Sequence, residues 1–228
     1  FNDQKVRQAI DYALDREALK EGIYNGQAVI PNSMVSSKVF GYDEALPEVT
    51  QDMDKAKEAM AESNYPDGFD ASIFVNESQD LVDSAVYIQE ALKELNINIE
   101  VEQFEMATFM ERLGQGQHDM FLLSFTASTG DADYLLSSLM LSTNEGFGGN
   151  RAFYNNETLD AALETARSAT EDEARLEEYT KIHNMIREDV PYSPLVHPNM
   201  SLAYNSEQLE GVELDAAGYI RLENLEFK

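Results

Sequence analysis

Apolar residues recur at helical spacing from the first turn of the chain. Val6, Ala9, Ile10, Ala13 and Leu14 share one face, behind Asn2 or Asp3 as a cap. This predicts a helix ending near Gly22 whose stripe needs a partner surface at once. A chain opening inside such an element reads as a self-sufficient domain taken from a larger protein. Asn25 to Pro47 holds Gly26, Pro31, Asn32 and Gly41 with few periodic apolar positions, and predicts an extended, irregular crossing. Asp52 caps a short helix carrying Ala56, Ala59 and Met60, and Pro66-Asp67-Gly68 signals a turn.

The pattern then changes period. Ala71–Val75 reads as a strand. Leu81, Ala85, Ile88, Leu92 and Leu95 form one face of a helix, and Ile97, Ile99 and Val101 alternate with polar residues as a second strand. A strand, helix and strand of these lengths imply a parallel βαβ unit. Phe109, Met110 and Leu113 mark another helix, and Met120–Phe125 (MFLLSF) predicts a strand covered on both faces. Beyond it, Gly130–Leu141 is helical, Ser142–Asn150 is a glycine-rich loop, and two helices carry Leu159, Leu163, Ala166 and then Leu176, Tyr179, Ile182, Ile186. Pro191 and Pro194 end the helical region, and Ser193–Ala203 and Gly218–Phe227 are predicted strands. The domain is α/β with helices on the sheet faces.

Composition narrows the classes. The 228 residues can bury a sizeable core, and 43% hydrophobic with 10% aromatic residues describes a folded globule. A net charge of −27 argues against nucleic acid and against an anionic membrane surface, and reads as a solvated exterior. The absence of Cys excludes disulfides, thiol catalysis and Cys-based metal sites. No apolar run approaches the roughly 20 residues of a membrane helix.

Candidate chemistry is sparse. His118, His183 and His197 lack metal-ligand spacing, and no Gly-x-Ser-x-Gly or phosphate loop occurs, so neither a cofactor nor a catalytic apparatus is implied. With 43 acidic residues, a spaced carboxylate pair carries no information. Asp131 and Asp133 read as helix-start carboxylates rather than a calcium loop. One place resembles a binding edge: MFLLSF runs into Thr126-Ala127-Ser128-Thr129-Gly130 before a helix, and ligands of open α/β sheets bind beyond the carboxyl ends of strands. Small polar residues there leave backbone groups free, and Phe125 offers an apolar wall. Spacing alone fits an ordinary strand-to-helix connection equally well.

Taken in order, Lys5-Val6-Arg7-Gln8-Ala9-Ile10 with Tyr12-Ala13 and Asp15-Arg16, Asp52 with Ala56-Lys57, Tyr65-Pro66-Asp67-Gly68-Phe69, Ile88-Gln89 through Leu92-Lys93 with Ile97–Val101, and Phe125–Leu136 form a series. Tyr154-Asn155-Asn156, Leu159-Asp160, Arg175, Pro191 and Pro194-Leu195 complete it. This series resembles the extracytoplasmic solute-binding proteins of oligopeptide and dipeptide ABC transporters (family 5 type), in their second large lobe. Asn64 and Asn96 stand where that family usually has Gly.

The resemblance implies a periplasmic-binding-protein-like lobe with a mixed, partly parallel sheet flanked by helices. Residues 1–210 would form the lobe, and 211–228 strands returning toward a first lobe. It implies capture of extracellular peptides for membrane permease subunits, by a monomeric, non-enzymatic, extracytoplasmic protein anchored as a lipoprotein or free in the periplasm. Phe125, Thr126, Ala127, Ser128, Thr129 and Asp131 would contact ligand. Ser128 stands where peptide binders carry the Asp that pairs with the ligand's α-amino group. Such a bond is worth about 1.5–3 kcal/mol, and a hydroxyl offers only a neutral contact. Asp131, a helical turn along, is the carboxylate offered in its place. Alternatives are a signalling-peptide sensor, a carrier of a non-peptide solute and, from another class, a secreted hydrolase using acidic residues.

Overall fold

The computed structural model describes residues 1–215 and 218–228. The N-terminal stripe forms, but as two helices. Helix α1 spans Gln4–Ala13 behind Asp3, whose carboxylate accepts from the Lys5 N–H, and α2 spans Arg16–Tyr24. The expected single helix breaks at Leu14–Asp15. There Asp15 caps α2 by accepting from the Ala18 N–H, and the Tyr87 hydroxyl bonds both the N–H and the C=O of Asp15 at 3.0 Å. Residues 25–52 cross the molecule irregularly, paired among the described residues only at β1 (Ala28–Val29) and at a single bridge from Phe40 to Asp131, and α3 follows as Met53–Glu62 behind Asp52.

The βαβ unit is present as read. Strand β2 (Phe69–Val75) leads through α4 (Gln79–Leu92) to β3 (Ile97–Gln103), and the two strands pair in parallel from Phe69 against Ile97 to Val75 against Gln103. The turn before β2 needs Gly68: its φ is +87°, and a Cβ there would meet the Asn96 carbonyl oxygen at 2.0 Å. Asn96 itself adopts a left-handed φ of 55°, which Asn tolerates better than most residues. Helix α5 (Met106–Gly114) then returns the chain to β4, and the sheet order is β3-β2-β4, all parallel.

Alternation along β2 separates two cores. Ile73 and Val75 face α1, α3 and α4, whereas Phe74 faces α5 with Phe109 and Leu113. A third core joins Val35 and Val39 of the crossing to α6 (Ala132–Met140), α7 (Glu157–Ser168) and α8 (Asp172–Asp189).

Three predicted strands shrink. In MFLLSF only Met120–Phe121 pairs, as β4 against Ile73–Phe74. Its unbroken apolarity has another cause: Leu122 enters the first core, Leu123 packs on the second, and Phe125 packs on the third. The run is a seam between cores rather than a strand sandwiched by helices. Ser193–Ala203 pairs only at β5 (His197–Pro198), antiparallel to β1. Gly218–Phe227 contributes one bridge at Ile220 and β7 (Glu226–Phe227), antiparallel to β6 (Leu209–Glu210). With two-residue ladders, these segments lack the length that regular pairing needs. Among the described residues, no helix is long and apolar enough to cross a membrane.

Candidate functional site

The site begins where β4 stops. Beyond Phe121 the chain leaves the sheet's carboxyl edge, and accessibility alternates: Ser124, Thr126 and Ser128 are exposed, Phe125 and Ala127 half-buried. Alternation of this kind marks an extended segment. Among the described residues the N–H groups of Ser124, Phe125, Thr126 and Ala127 meet no backbone partner, whereas Ser128 bonds back to the Thr126 carbonyl at 2.9 Å and Gly130 to Ala127 at 3.1 Å. The segment therefore presents an open row of peptide groups that closes into a turn at Ser128. The Phe125 ring lies 5.6 Å from that of Tyr134.

The turn is clamped at its far end. The Gly130 carbonyl accepts from Phe40 at 2.9 Å, and Ala132 donates to the Phe40 carbonyl at 2.8 Å. Gly41 allows this approach, because a Cβ there would lie 2.6 Å from the Ala132 Cβ and 2.8 Å from the Tyr179 ring. Asp131 caps α6 by accepting from the Asp133 N–H at 2.9 Å. Arg175 Nη2 donates to both its oxygens, and the Tyr179 hydroxyl donates to Oδ1 at 3.0 Å. Burial pushes the Asp131 carboxyl up, but these bonds outweigh it and hold it below the usual carboxylate range. Burial and then the adjacent Asp131 charge push the Tyr179 phenol up to about 12. The Asp131 carboxylate is thus committed within the fold, while Phe125 through Thr129 lie along the open row and its closing turn.

On the α5 face of the sheet, around β4, lies an aromatic cluster that the sequence reading did not single out. Phe104 follows β3, its ring 4.8 Å from Phe74, and the Arg112 guanidinium sits 4.5 Å above it. His118 packs edge-on to Phe121 at 4.9 Å, and Phe121 to Tyr192 at 5.9 Å. His118 Nε2 donates to the Arg151 carbonyl at 2.9 Å, leaving Nδ1 an acceptor that is buried and unpartnered. Burial pushes the His118 imidazole down, so it is neutral at pH 7. The one available sequence signal was the density of aromatic residues around 104, 121 and 153, whose spacing places them on separate elements.

Two hollows lie elsewhere. One, of about 500 Å³, touches the loop only at Thr129 and Asp131, and its Arg167 and Arg175 already face Asp133 and Asp131. The other, of about 290 Å³, lies between the irregular crossing and α8. Among the described residues, no group of three His, Asp or Glu side chains is disposed to hold a metal ion.

Residues 1–147 match the family model of bacterial extracellular solute-binding proteins, family 5, middle region. The chain is 26% identical over 224 residues to Heme-binding protein A of Haemophilus influenzae, covering 96% of this chain and 41% of that protein. It is 28% identical over 218 residues to the Glutathione-binding protein GsiB of Salmonella typhimurium, covering 92% and 42%. A dipeptide-binding protein from Pseudoalteromonas, solved with Met-Leu, superposes with a TM-score of 0.84 at 28% identity, over 99% of this chain and 45% of that one. The chain thus spans about two fifths of the length of the curated relatives it matches.

Proposed function

This chain belongs to the bacterial extracellular solute-binding proteins of family 5, and from that premise we propose that it is one ligand-binding lobe of a peptide-capturing component of an ABC transporter. The observation that carries this reading is the open row of backbone N–H groups from Ser124 to Ala127 at the sheet's carboxyl edge. An extended peptide pairs with such a row as an added strand, its side chains falling into tolerant surroundings. Phe125 supplies the apolar wall, Thr126, Ser128 and Thr129 supply hydroxyls, and Asp131 fixes the turn. Ligand is held and released to membrane permease subunits, with no bond made or broken.

In this reading residues 1–210 are the second lobe, and 211–228 return toward a first lobe that closes over the ligand. Exposed apolar side chains support that return: Tyr219 is 70% exposed, Leu222 72% and Phe227 85%, a surface that water covers poorly. The protein works as an extracytoplasmic monomer, anchored by lipid or free in a periplasm. Native mass spectrometry of the full-length protein, purified without denaturation, tests the proposal. A co-purifying peptide is expected.

A non-peptide cargo is the second reading, favoured by similarity to a haem-binding relative. A haem or another organic solute in the same spectrum would replace peptide capture. Conversion of peptide or glycan pools into products would instead establish a hydrolase.

A further inference from the structure

The turn from Arg151 to Phe153, which follows the glycine-rich loop, is strained. Phe153 holds a left-handed φ of 51°, a conformation that an aromatic residue keeps only while its surroundings enforce it. Its ring lies over Gly116, where a Cβ would come within 3.0 Å of it. His118 Nε2 ties the turn to the sheet through the Arg151 carbonyl at 2.9 Å. The Ala152 N–H adds a longer tie, donating to the Tyr192 hydroxyl at 3.3 Å. Both tethering rings pack edge-on to Phe121, at 4.9 and 5.9 Å, and Phe121 is the last paired residue of β4. Phe121 shares its core with Leu123, which directly precedes Ser124 and the open row.

His118 holds this turn in one protonation state. A carbonyl accepts and never donates, so Nε2 carries the hydrogen and Nδ1 is bare. Nδ1 is buried with no partner among the described residues. A proton there would place an N–H and a charge where nothing accepts them. The rings around it are Phe74 of β2 at 6.2 Å, Phe121 of β4, and Phe153 of the turn at 6.4 Å, and none offers an oxygen or nitrogen. Two charged groups bear on the imidazole. Asp119 draws the proton, but its carboxylate already accepts from the Ser72 N–H and hydroxyl, and Arg151 repels it. Burial is the largest influence, and it too opposes the charge.

We propose that His118 is an acid-operated latch: while neutral it pins the strained turn at Arg151 to the end of β4, and on taking a second proton it lets the turn go and loosens the site that begins there. The released imidazole takes up its proton near pH 6.5, whereas the latched one resists it. The latch is therefore complete above about pH 6.5 and gives way as pH falls below it. Relaxation of Phe153 drives the opening in the same direction. The consequence for cargo rests on the peptide-capture reading above: peptide is held near neutral pH and let go in acid.

The test uses the full-length protein at pH 7.5 and pH 5.0, with two readouts. Hydrogen-exchange mass spectrometry follows residues 150–154, referenced to the unfolded chain at each pH, and affinity selection follows retention of a randomised tetrapeptide pool. In the unmodified protein, protection and retention are each expected to fall about tenfold in acid, as loss of one hydrogen bond implies. His118→Gln keeps an N–H for the Arg151 carbonyl and does not titrate, so both readouts are expected to be alike at the two pH values. Unchanged protection in the unmodified protein overturns the latch, as does the same acid loss in the Gln variant. Imidazole ¹⁵N shifts of the unmodified protein give a reading free of any variant. The Nε2-protonated tautomer is expected above pH 6.5, with a midpoint below it that coincides with the loss of protection, and a midpoint that does not coincide overturns the latch. Protection that falls while retention holds overturns cargo release. If the pool binds at neither pH, peptide capture fails, and the exchange and ¹⁵N readings still decide the latch.

Discussion

Arg175 meets Asp131 through a single nitrogen, Nη2, which lies 3.0 Å from one carboxylate oxygen and 2.8 Å from the other. The same nitrogen reaches the Tyr179 hydroxyl at 2.9 Å, and the guanidinium stacks 4.8 Å from the Phe40 ring. One acid thereby ties the start of α6 to α8 and to the irregular crossing. Asp131→Ala removes both the helix cap and the counterion, and is expected to cost about 2–3 kcal/mol of unfolding free energy. Asp131→Asn keeps an oxygen for the Asp133 N–H and should lose about half as much. Urea denaturation measures both, and an unchanged midpoint for the Ala variant would refute the clamp.

Arg16 is almost fully enclosed, yet charged. Its guanidinium bonds Asp11, the Ser193 hydroxyl and the carbonyls of Leu14 and Pro194. Removing it leaves the half-buried Asp11 carboxylate without its counterion, held among the described residues by the Ser193 hydroxyl alone. Arg16→Ala is expected to destabilise by about 3–5 kcal/mol, read as a fall in the denaturation midpoint. A loss under about 1 kcal/mol would mean that water already reaches the pair.

Acid sensitivity follows from histidine. His183 is buried with Nε2 on the Gly41 carbonyl at 2.8 Å, and burial pushes its imidazole pKa down. The unfolded chain takes up that proton near pH 6.5 while the fold resists it. Stability is therefore complete above about pH 6.5 and declines as pH falls below it. His118 and His197 shift in the same direction, chiefly through burial. The depressed Asp131 carboxyl adds a loss only at lower pH, as its folded-state proton is taken up. Chemical denaturation between pH 8 and 5 should show a decline that His183→Gln makes shallower; a flat profile contradicts the assignment.

Much of this architecture was legible from apolar spacing. The βαβ unit could be read because β2, α4 and β3 each switch period cleanly between Gly68 and Gln103. The caps at Asp3, Asp52 and Asp131 could be read because a short acid before an apolar stripe has one good use. MFLLSF misled because continuous apolarity is the same signal whether a strand lies between two layers or a connection passes between three cores. Arg16 and His183 were opaque for a related reason: polarity predicts the surface, and only tertiary partners hold a charge inside. The turn position of Phe125–Thr129 was read, but the aromatic cluster beside β4 was not, since residues 104, 112, 118, 121 and 192 meet only through the fold.

The neutral residue at the turn has a measurable consequence. In the peptide-capture reading, Ser128→Asp places a carboxylate within reach of a ligand ammonium. Calorimetry on the full-length protein should show free-amine peptides bound about tenfold more tightly than N-acetylated ones in the variant, a preference absent without the substitution. An unaltered ratio would remove Ser128 from the contact surface.

If a first lobe completes the cleft, the 228-residue chain by itself offers one wall. Its affinity for peptides is then expected to be weaker than micromolar, because burial from both sides is missing. Calorimetric titration that finds micromolar or tighter binding would show that a single wall suffices.

Leu122 enters one core, and Leu123 and Phe125 each pack on a different one. Adding or deleting one residue between Met120 and Phe125 would send every following side chain to the wrong destination, so this stretch behaves as a stitch of fixed gauge. In the peptide-capture reading, variation in cargo is then expected to come from exchanging side chains after Phe125. Library design that varies loop length there should yield unfolded clones, and design that varies identity at 126–129 should yield folded ones.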